Sequence, residues 1–454
     1  MINLQLKRSD IRYSLRDFEQ AYQIAQDAKA LVQPLLNADP RNLRALLLAF
    51  STSTRMADAL ADRGDEETLA QGLEEFQYAE KLARTMAEMA PGNAARERDI
   101  MFVLQKMGDI RQEQSDWNRA IAKYSKALEI IARVVDKEPD NLTWKRDLAN
   151  CHSRLGQALS GKGEFGDALA HLRIAFDIRS KLASPDSNDN VIQSNLALSH
   201  IEFARLFEAK NELDKALEEF RSVKKIREAL AEKDPSNAAS SIQLAATYMD
   251  LGRILRTRGE SALASDEYKR AVDVRQGLAI RDPTNVDRQD TLAASRYALA
   301  EVLGLLKRPD EALQNYEYAA LALEDLADNL TKDRPKKAAA YRGRAFDSRM
   351  KMGDIFVSKD NHDAALGEYR KAFTIAQQLA TQDENDASWQ RNLASVHDKI
   401  GDQLAWKQDP GGALEQYNAA VAIMKKLSEG ANNPEWMQLL ETLQSKAQAL
   451  LTKQ

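Results

Sequence analysis

The chain has 454 residues, which is too many for one ordinary compact core and indicates either several domains or an extended repeat array. Its 64 basic and 69 acidic residues give a net charge of -5, which argues against a general surface for nucleic acid or anionic membranes and leaves only a local patch open. Glycine (19) and proline (11) are sparse while alanine and leucine dominate the apolar share, so the composition favours an all-α protein.

A short polar string, usually with proline, recurs along the chain and marks helix boundaries. Proline cannot continue a helix, and Asn or Asp can accept hydrogen bonds from the first backbone N–H groups of the next helix. Each string is therefore expected to end one helix and to begin another. In chain order the strings are DPRN (39–42), APGN (90–93), EPDN (138–141), SNDN (187–190), DPSN (234–237) and DPTN (282–285).

The first 92 residues follow a weaker pattern than the rest. Residues 1–41 predict a partial repeat or cap, because residues 17–42 have the pattern of one helix whereas residues 1–14 show no recognisable partner helix. Two explanations are open: an irregular cap, or a longer protein whose N-terminal effector domain lies outside this sequence. Residues 42–92 predict a degenerate repeat that is lengthened around residues 64–72.

Residues 93–431 predict seven repeats that obey one template. A small residue, whose position we call the glycine register, recurs in steps of 48 with one step of 53, and a large apolar residue precedes it each time. An alanine follows twelve residues later, and a large side chain follows four residues after the alanine. The glycine register comprises Gly108, Gly156, Ala204, Gly252, Ala300, Gly353 and Gly401, and the large side chains are Tyr124, Leu172, Phe220, Tyr268, Tyr316, Tyr369 and Tyr417.

These spacings predict a helical hairpin in every repeat. Steps of three and four residues place side chains on one helical face, and a turn such as KGE at 162–164 separates the first helix (A) from the second (B). A glycine inside a helix costs about 1 kcal/mol relative to alanine, so its recurrence needs a compensating gain. We expect that gain to be a close approach of helices A and B.

Two features depart from the template towards the C-terminal end. The step of 53 predicts an insertion near residues 329–337, which is either a solvated basic loop or a site for an acidic partner. The basic residues in and after it are Lys332, Arg334, Lys336, Lys337, Arg342 and Arg344. Residues 432–454 align with the start of a repeat through Trp436 and stop after one helix, which predicts a C-terminal capping helix.

The template resembles the tetratricopeptide repeat, in which a large apolar residue precedes a glycine and an Ala-x-x-x-aromatic stretch follows. Seven full units carry the resemblance, although each has 48 residues where the family standard has 34. The resemblance implies an all-α fold, namely an α-α superhelix or solenoid of antiparallel helix pairs. It also implies a non-catalytic scaffold for protein–protein interaction, similar to the lengthened arrays of bacterial multidomain signalling and effector proteins.

The sequence predicts neither a reaction centre nor an extracellular or membrane-bound location. His152, His200 and His397 share one position in three repeats, but packed helices lie about 8–10 Å apart whereas zinc ligands converge within about 2 Å of one ion. Cys151 and His152 are adjacent on a helix and point about 100° apart, so no catalytic pair, metal site or cofactor site is expected. The single cysteine and the lack of an apolar N-terminal run predict a cytoplasmic protein.

In the family that the chain resembles, the A helices line a concave inner wall. Ligands contact the positions three before, one after and four after the glycine register. Carried onto this chain, these positions include Gln105, Asp109, Ser153, Gln157, Arg205, Met249, Arg253, Arg256, Tyr297, Glu301, Asp354, Asp398 and Asp402. The arginines would form a basic middle and the last three aspartates an acidic C-terminal portion. Such a surface either suits a partner that carries both signs of charge or is simply a solvated helix face.

The partner implied by the resemblance is a protein or peptide bound in the concave groove, with no nucleic acid, membrane or cofactor. Two alternatives stay open. One is a ligand-gated sensor whose superhelix pitch changes when it binds a peptide or small molecule, and the other is a self-assembly module. The sequence does not fix the oligomeric state.

Overall fold

Paired helices run through the part of the chain that the structure describes. The computed structural model describes residues 1–182, 190–331, 334–430 and 433–452, and these residues form nineteen helices and no strand. None of these helices combines the length and the apolar character that crossing a bilayer requires. In chain order they are α1 (Ile2–Ser14), α2 (Phe18–Ala38), α3 (Leu43–Ala61), α4 (Glu66–Met89), α5 (Ala94–Glu113), α6 (Trp117–Lys137), α7 (Leu142–Lys162), α8 (Phe165–Leu182), α9 (Asn190–Ala209), α10 (Leu213–Lys233), α11 (Ala238–Thr257), α12 (Ser261–Arg281), α13 (Val286–Leu305), α14 (Pro309–Leu330), α15 (Pro335–Ser358), α16 (His362–Gln382), α17 (Ala387–Trp406), α18 (Pro410–Gly430) and α19 (Pro434–Leu451).

The helices group into two compact units, Met1–Ile226 (unit 1) and Arg227–Gln454 (unit 2). Odd-numbered helices are the A helices of the repeats and even-numbered helices are the B helices. Eight A helices pack against the B helix that follows them: α1 on α2, α3 on α4, α5 on α6, α7 on α8, α11 on α12, α13 on α14, α15 on α16 and α17 on α18. The terminal helix α19 lies inside the predicted capping segment 432–454, of which residues 432, 453 and 454 are outside the described part.

The recurring polar strings separate the helices as predicted. The side-chain oxygens of Asn42, Asn93, Asn141, Asn237 and Asn285 accept hydrogen bonds from backbone N–H groups in the first turns of α3, α5, α7, α11 and α13. Such an N-cap stabilises a helix by about 1 kcal/mol. Residues 187–189 of the string at 187–190 lie outside the described residues.

The glycine register is a point of close approach between the two helices of a repeat, as predicted. A Cβ atom added to Gly252 would lie 2.6 Å from the ring of Tyr268, and one added to Gly156 would lie 2.8 Å from Leu172. Gly108, Gly353 and Gly401 meet the rings of Tyr124, Tyr369 and Tyr417 in the same way. These rings are buried in the core, and the four tyrosines that face a glycine occupy the space that a Cβ would need.

A helical pair also occupies the N-terminal end, where the sequence showed no partner helix for residues 17–42. The partner is α1, and its Ser9 lies 48 residues before Ala57, at the position of the glycine register. The buried Ser9 hydroxyl donates a hydrogen bond of 2.8 Å to the carbonyl of Ala21 on α2. Serine replaces glycine, and Arg8 replaces the large apolar residue that precedes it, so neither template residue signals this helix.

The predicted insertion near residues 329–337 is mostly not a loop. Residues 332 and 333, and with them Lys332, lie outside the described part, but α15 already begins at Pro335. Several basic residues lie on α15 and have carboxylate partners within unit 2. These pairs are Lys337 with Asp287 at 3.6 Å, Arg342 with Asp328 at 3.2 Å, and Arg344 with Asp290. The expectation of a solvated basic loop is therefore corrected for these three residues.

Successive repeats meet at a position that the sequence template does not contain. On an A helix this position lies five residues before the glycine register. It faces a residue of the preceding B helix that lies twenty places earlier in the chain. We call these two residues a seam pair. In one version the pair is apolar, as with Ala376 and Val396, which belong to one buried cluster. In the polar version an arginine of the B helix donates to a hydroxyl of the A helix. The polar pairs are Arg179 to Ser199 at 2.8 Å, Arg227 to Thr247 at 2.8 Å and Arg275 to Ser295 at 2.6 Å.

Gly252→Leu is expected to lower the melting temperature, because the new side chain would take the space of the Tyr268 ring. Overpacking of this kind costs about 1–3 kcal/mol. Gly277→Leu is the matched control, since a Cβ at Gly277 meets nothing within 4 Å and leucine is a better helix former than glycine. Thermal unfolding followed by circular dichroism compares them, and an unchanged melting temperature in Gly252→Leu would contradict the close approach.

Ser295→Val is expected to destabilise unit 2 by about 1 kcal/mol, because the partly buried Arg275 guanidinium loses its hydrogen bond to the buried Ser295 hydroxyl. The double variant Arg275→Ala with Ser295→Val recreates the apolar seam pair Ala376 and Val396, so it should recover most of that loss. Urea denaturation gives the free energy of unfolding of both variants. A double variant that is less stable than Ser295→Val alone would show that the two versions of the seam are not interchangeable.

Candidate functional site

The predicted ligand-facing positions lie along the A helices, a surface that we call the A-helix wall, and the structure leaves most of them accessible. Arg205 and Asp354 are exposed. Asp109, Gln157, Met249, Arg253, Arg256, Tyr297, Glu301, Asp398 and Asp402 are partly exposed. Gln105 and Ser153 are buried, and their polar groups serve the fold: Gln105 donates to the Cys151 sulfur at 3.0 Å and Ser153 donates to Glu202.

An ion-pair ladder joins neighbouring A helices along the wall. An aspartate one residue after the glycine register pairs with a base two residues before the register of the next A helix. In unit 1 the pairs are Asp10 with Arg55 at 2.6 Å, Asp58 with Lys106 at 2.7 Å, and Asp109 with Arg154. In unit 2 they are Asp354 with Lys399 at 2.8 Å and Asp402 with Lys446 at 2.8 Å.

In three repeats, a tyrosine of the B helix donates a hydrogen bond to the carboxylate of the ladder. The hydroxyls of Tyr124, Tyr369 and Tyr417 donate to Asp109, Asp354 and Asp402 at 2.7, 2.8 and 2.7 Å. Burial, together with the adjacent carboxylate, raises the pKa of each hydroxyl, so the tyrosines stay protonated and remain donors. The ring that fills the glycine groove therefore also holds a wall carboxylate in place.

The charges of the predicted basic and acidic portions are largely compensated inside unit 2. Arg256 pairs with Glu301 at 2.6 Å, and Lys446 contacts both Asp398 and Asp402. The C-terminal portion of the wall therefore presents ion pairs more than free carboxylates. Partly exposed pairs of this kind contribute little to stability, but they fix the direction in which each charge points.

A cavity of about 260 Å³ opens on the wall of unit 1. Four of its lining residues, Asp10, Tyr13, Thr54 and Asp58, occupy the ligand-facing positions of α1 and α3, and Ser9, Arg55 and Phe102 complete it. The sequence prediction missed Asp10 and Tyr13 because α1 was not recognised as an A helix, and it missed Thr54 and Asp58 because the ligand-facing positions were carried only onto the seven template repeats. One further step of 48 back from Ala57 would have found Asp10 and Tyr13, because it reaches Ser9.

The cavity combines carboxylates with an aromatic ring. The Lys106 ammonium lies 2.7 Å from Asp58 and 5.7 Å from the centre of the Phe102 ring. Burial raises the pKa of the Asp58 carboxyl, and Lys106 opposes that effect. The Tyr13 hydroxyl donates to Asp62 at the same edge. A cation held between a carboxylate and a ring is thus already present at the rim of the cavity.

The wall of unit 2 has an apolar row instead. Met249, Tyr297 and Met350 occupy the position three before the glycine register in successive repeats, and all three are partly exposed. The Tyr297 ring packs edge-on against Tyr316 at 5.3 Å, and burial raises its pKa to about 12.

The histidines that share one position each face a residue of their own repeat. His152 lies 2.9 Å from His171, His200 lies 2.6 Å from Glu219, and His397 lies 2.8 Å from Gln416. Burial raises the pKa of the Cys151 thiol to about 12, which keeps the thiol protonated near neutral pH. Among the described residues, no three His, Cys, Asp or Glu side chains are grouped so that they could hold a metal ion.

The His152 and His171 pair is expected to make unit 1 less stable in mild acid. Burial and the neighbouring His171 lower the pKa of His152 to about 4, whereas an unfolded histidine titrates near 6.5. The unfolded chain therefore binds protons first, and stability is lost as the pH falls from about 6.5 towards 4. His152→Gln should show a smaller drop in melting temperature between pH 7 and pH 5. An equal drop in both proteins would place the acid sensitivity elsewhere.

No protein-family model matches the chain, and no curated protein matches it. Its structure is similar to that of a Signal Transduction ATPase with Numerous Domains (STAND) protein with a tetratricopeptide repeat sensor from Pyrococcus horikoshii. The TM-score is 0.51, the identity is 14%, and the match covers 93% of this chain and 55% of that one. Other similar structures are the apo quorum sensor NprR from B. thuringiensis (TM-score 0.44, identity 13%, 93% of this chain, 98% of that one) and BtubC (BKLC) from P. vanneervenii (TM-score 0.44, identity 18%, 59% of this chain, 92% of that one).

The similarity to the STAND protein shows the fold. The chain has a tetratricopeptide-like repeat structure, and the predicted fold class, an all-α protein of the α-α superhelix type, is confirmed. This chain spans about half of the length of that protein.

Proposed function

We propose that the chain is a non-catalytic protein-interaction scaffold that binds a protein segment or peptide along its A-helix wall, as the sensing or regulatory array of a larger cytoplasmic protein. The structurally similar STAND protein carries its tetratricopeptide repeats as a sensor, which supports the regulatory part of the proposal. The observation that carries the binding part is the cavity on the wall of unit 1, because ligand-facing positions of two consecutive A helices line it.

The two walls favour different ligand side chains. In unit 1, Asp10, Tyr13, Asp58 and Phe102 line a cavity that suits a lysine or arginine, because a ligand cation that takes the place of Arg55 at Asp10 or of Lys106 at Asp58 gains a carboxylate and a nearby aromatic face. In unit 2, the row of Met249, Tyr297 and Met350 suits apolar side chains, and methionine adapts its shape to them. The proposed ligand of unit 1 is therefore a basic segment, and that of unit 2 is an apolar one.

Selection of peptides from a display library on the full chain tests the proposal. Enriched peptides are expected to contain lysine or arginine. The double variant Asp10→Asn with Asp58→Asn should bind a selected basic peptide about tenfold more weakly, because the carboxylates that hold the cation of the peptide are lost. The matched control Glu88→Gln removes an exposed carboxylate from the B helix α4 and should leave the affinity unchanged.

Two results would contradict the proposal. One is a library selection that enriches no peptide. The other is binding that survives both the aspartate variants and the change of Arg205, Arg253 and Arg256 to glutamate, because the ligand would then lie away from the A-helix wall.

A further inference from the structure

The helix α1 exposes a face that the next repeats bury. In α5, the positions five before, one before and two after the glycine register are Val103, Met107 and Ile110, and all three are buried in one cluster with residues of α4. The same positions of α1 are occupied by Leu4, Arg8 and Ile11. Leu4 is 64% exposed and Ile11 is 58% exposed. Helix α1 therefore has exposed apolar residues at positions that are buried against a B helix in α5.

Two more apolar residues extend this surface. Met1 and Leu15 continue the same helical spacing and are 89% and 63% exposed. We call the stripe formed by Met1, Leu4, Arg8, Ile11 and Leu15 the α1 face. In later repeats the equivalent stripe is covered by a B helix that runs alongside it, as α4 covers α5. The shape of the α1 face therefore suits one helix.

The charge of the α1 face indicates which helix it suits. Arg8 stands at the centre and Lys7 is exposed beside it, while Arg12 is paired with Asp17 at 3.6 Å. The acidic residue of α1, Asp10, is paired with Arg55. A second copy of α1 packed antiparallel would bring the two Arg8 side chains together, which opposes self-pairing, whereas a helix with carboxylates at its centre would be attracted.

The other terminal A helix does not share this chemistry. An exposed face of α19 consists of Met437, Glu441, Gln444, Gln448 and Leu451, in which the three central residues are polar. A face with a polar centre of this kind needs no neighbour in water. The α1 face thus has four exposed apolar residues among its five, whereas this face of α19 has two at its ends and a polar centre.

We propose that the α1 face binds an amphipathic helix of a partner protein that has an apolar stripe and an acidic centre. The partner helix packs on α1 as the B helix α4 packs on α5. This surface is distinct from the A-helix wall, so the proposal does not depend on the proposed peptide binding there.

The helix α4 of the chain itself provides a probe with the required chemistry. Residues 66–89 contain six glutamates and two basic residues, which gives a net charge of -4, and their Leu69, Leu73 and Phe76 form the apolar stripe that covers α5. A labelled synthetic peptide of residues 66–89 is titrated into the full chain and followed by fluorescence anisotropy. It is expected to bind, and a peptide of the same composition in scrambled order is expected to bind about tenfold more weakly.

Three variants locate the binding. Arg8→Glu should lower the affinity for the peptide about tenfold. The double variant Leu4→Glu with Ile11→Glu should abolish binding, because both apolar contacts are replaced by charges. Ile280→Glu alters an exposed apolar residue of unit 2 and should leave the affinity unchanged. Circular dichroism confirms that each variant is folded, which is expected because the altered side chains are exposed in the free protein.

Three results would overturn the proposal. The first is a wild-type chain that does not bind the peptide of residues 66–89. The second is equal binding by wild type and Arg8→Glu. The third is concentration-dependent self-association in analytical ultracentrifugation that Leu4→Glu with Ile11→Glu removes, because the α1 face would then be covered by a second copy.

Discussion

The contact between the glycine register and the ring of helix B is the constraint on which the rest of the structure depends. In the four repeats with a glycine opposite a tyrosine, the ring occupies the space where a Cβ would stand, and this close contact sets the distance and the rotation between helices A and B. That rotation decides which residues of helix A point to the wall and which point to the preceding repeat. The wall, the seam pairs and the ion-pair ladder therefore all follow from one small residue in each repeat.

Polar pairs at fixed positions connect the repeats without requiring larger apolar cores. A seam arginine such as Arg275 reaches a hydroxyl of the next A helix, and a wall aspartate such as Asp354 reaches the base of the next one. The ladder also lies on the surface where a ligand would bind. A ligand cation at the wall would compete with Lys106 or Lys399 for the same carboxylates, so ligand binding and the links between neighbouring A helices share their residues.

The sequence predicts the features that recur in most repeats and misses those that vary. Asparagine caps and glycine–ring contacts recur with one chemistry, so their period alone gives the helix pairs. The first A helix was missed because Arg8 and Ser9 replace both template residues. The seam pairs were missed because an arginine such as Arg179 is read as a surface residue, although here a hydroxyl and Glu202 satisfy it in the core. The ladder requires pairing of two positions in different repeats, which a template for one repeat does not contain.

Burial changes the pKa of two groups in unit 1. Here burial moves groups towards their uncharged forms: it raises the pKa of Cys151 to about 12 and lowers that of His152 to about 4. Both side chains lie between packed helices, where their role is to fit and to form a hydrogen bond. The accessible groups are ion pairs, a tyrosine and methionines on the wall, and their fixed geometry is suited to selecting a partner by shape and charge.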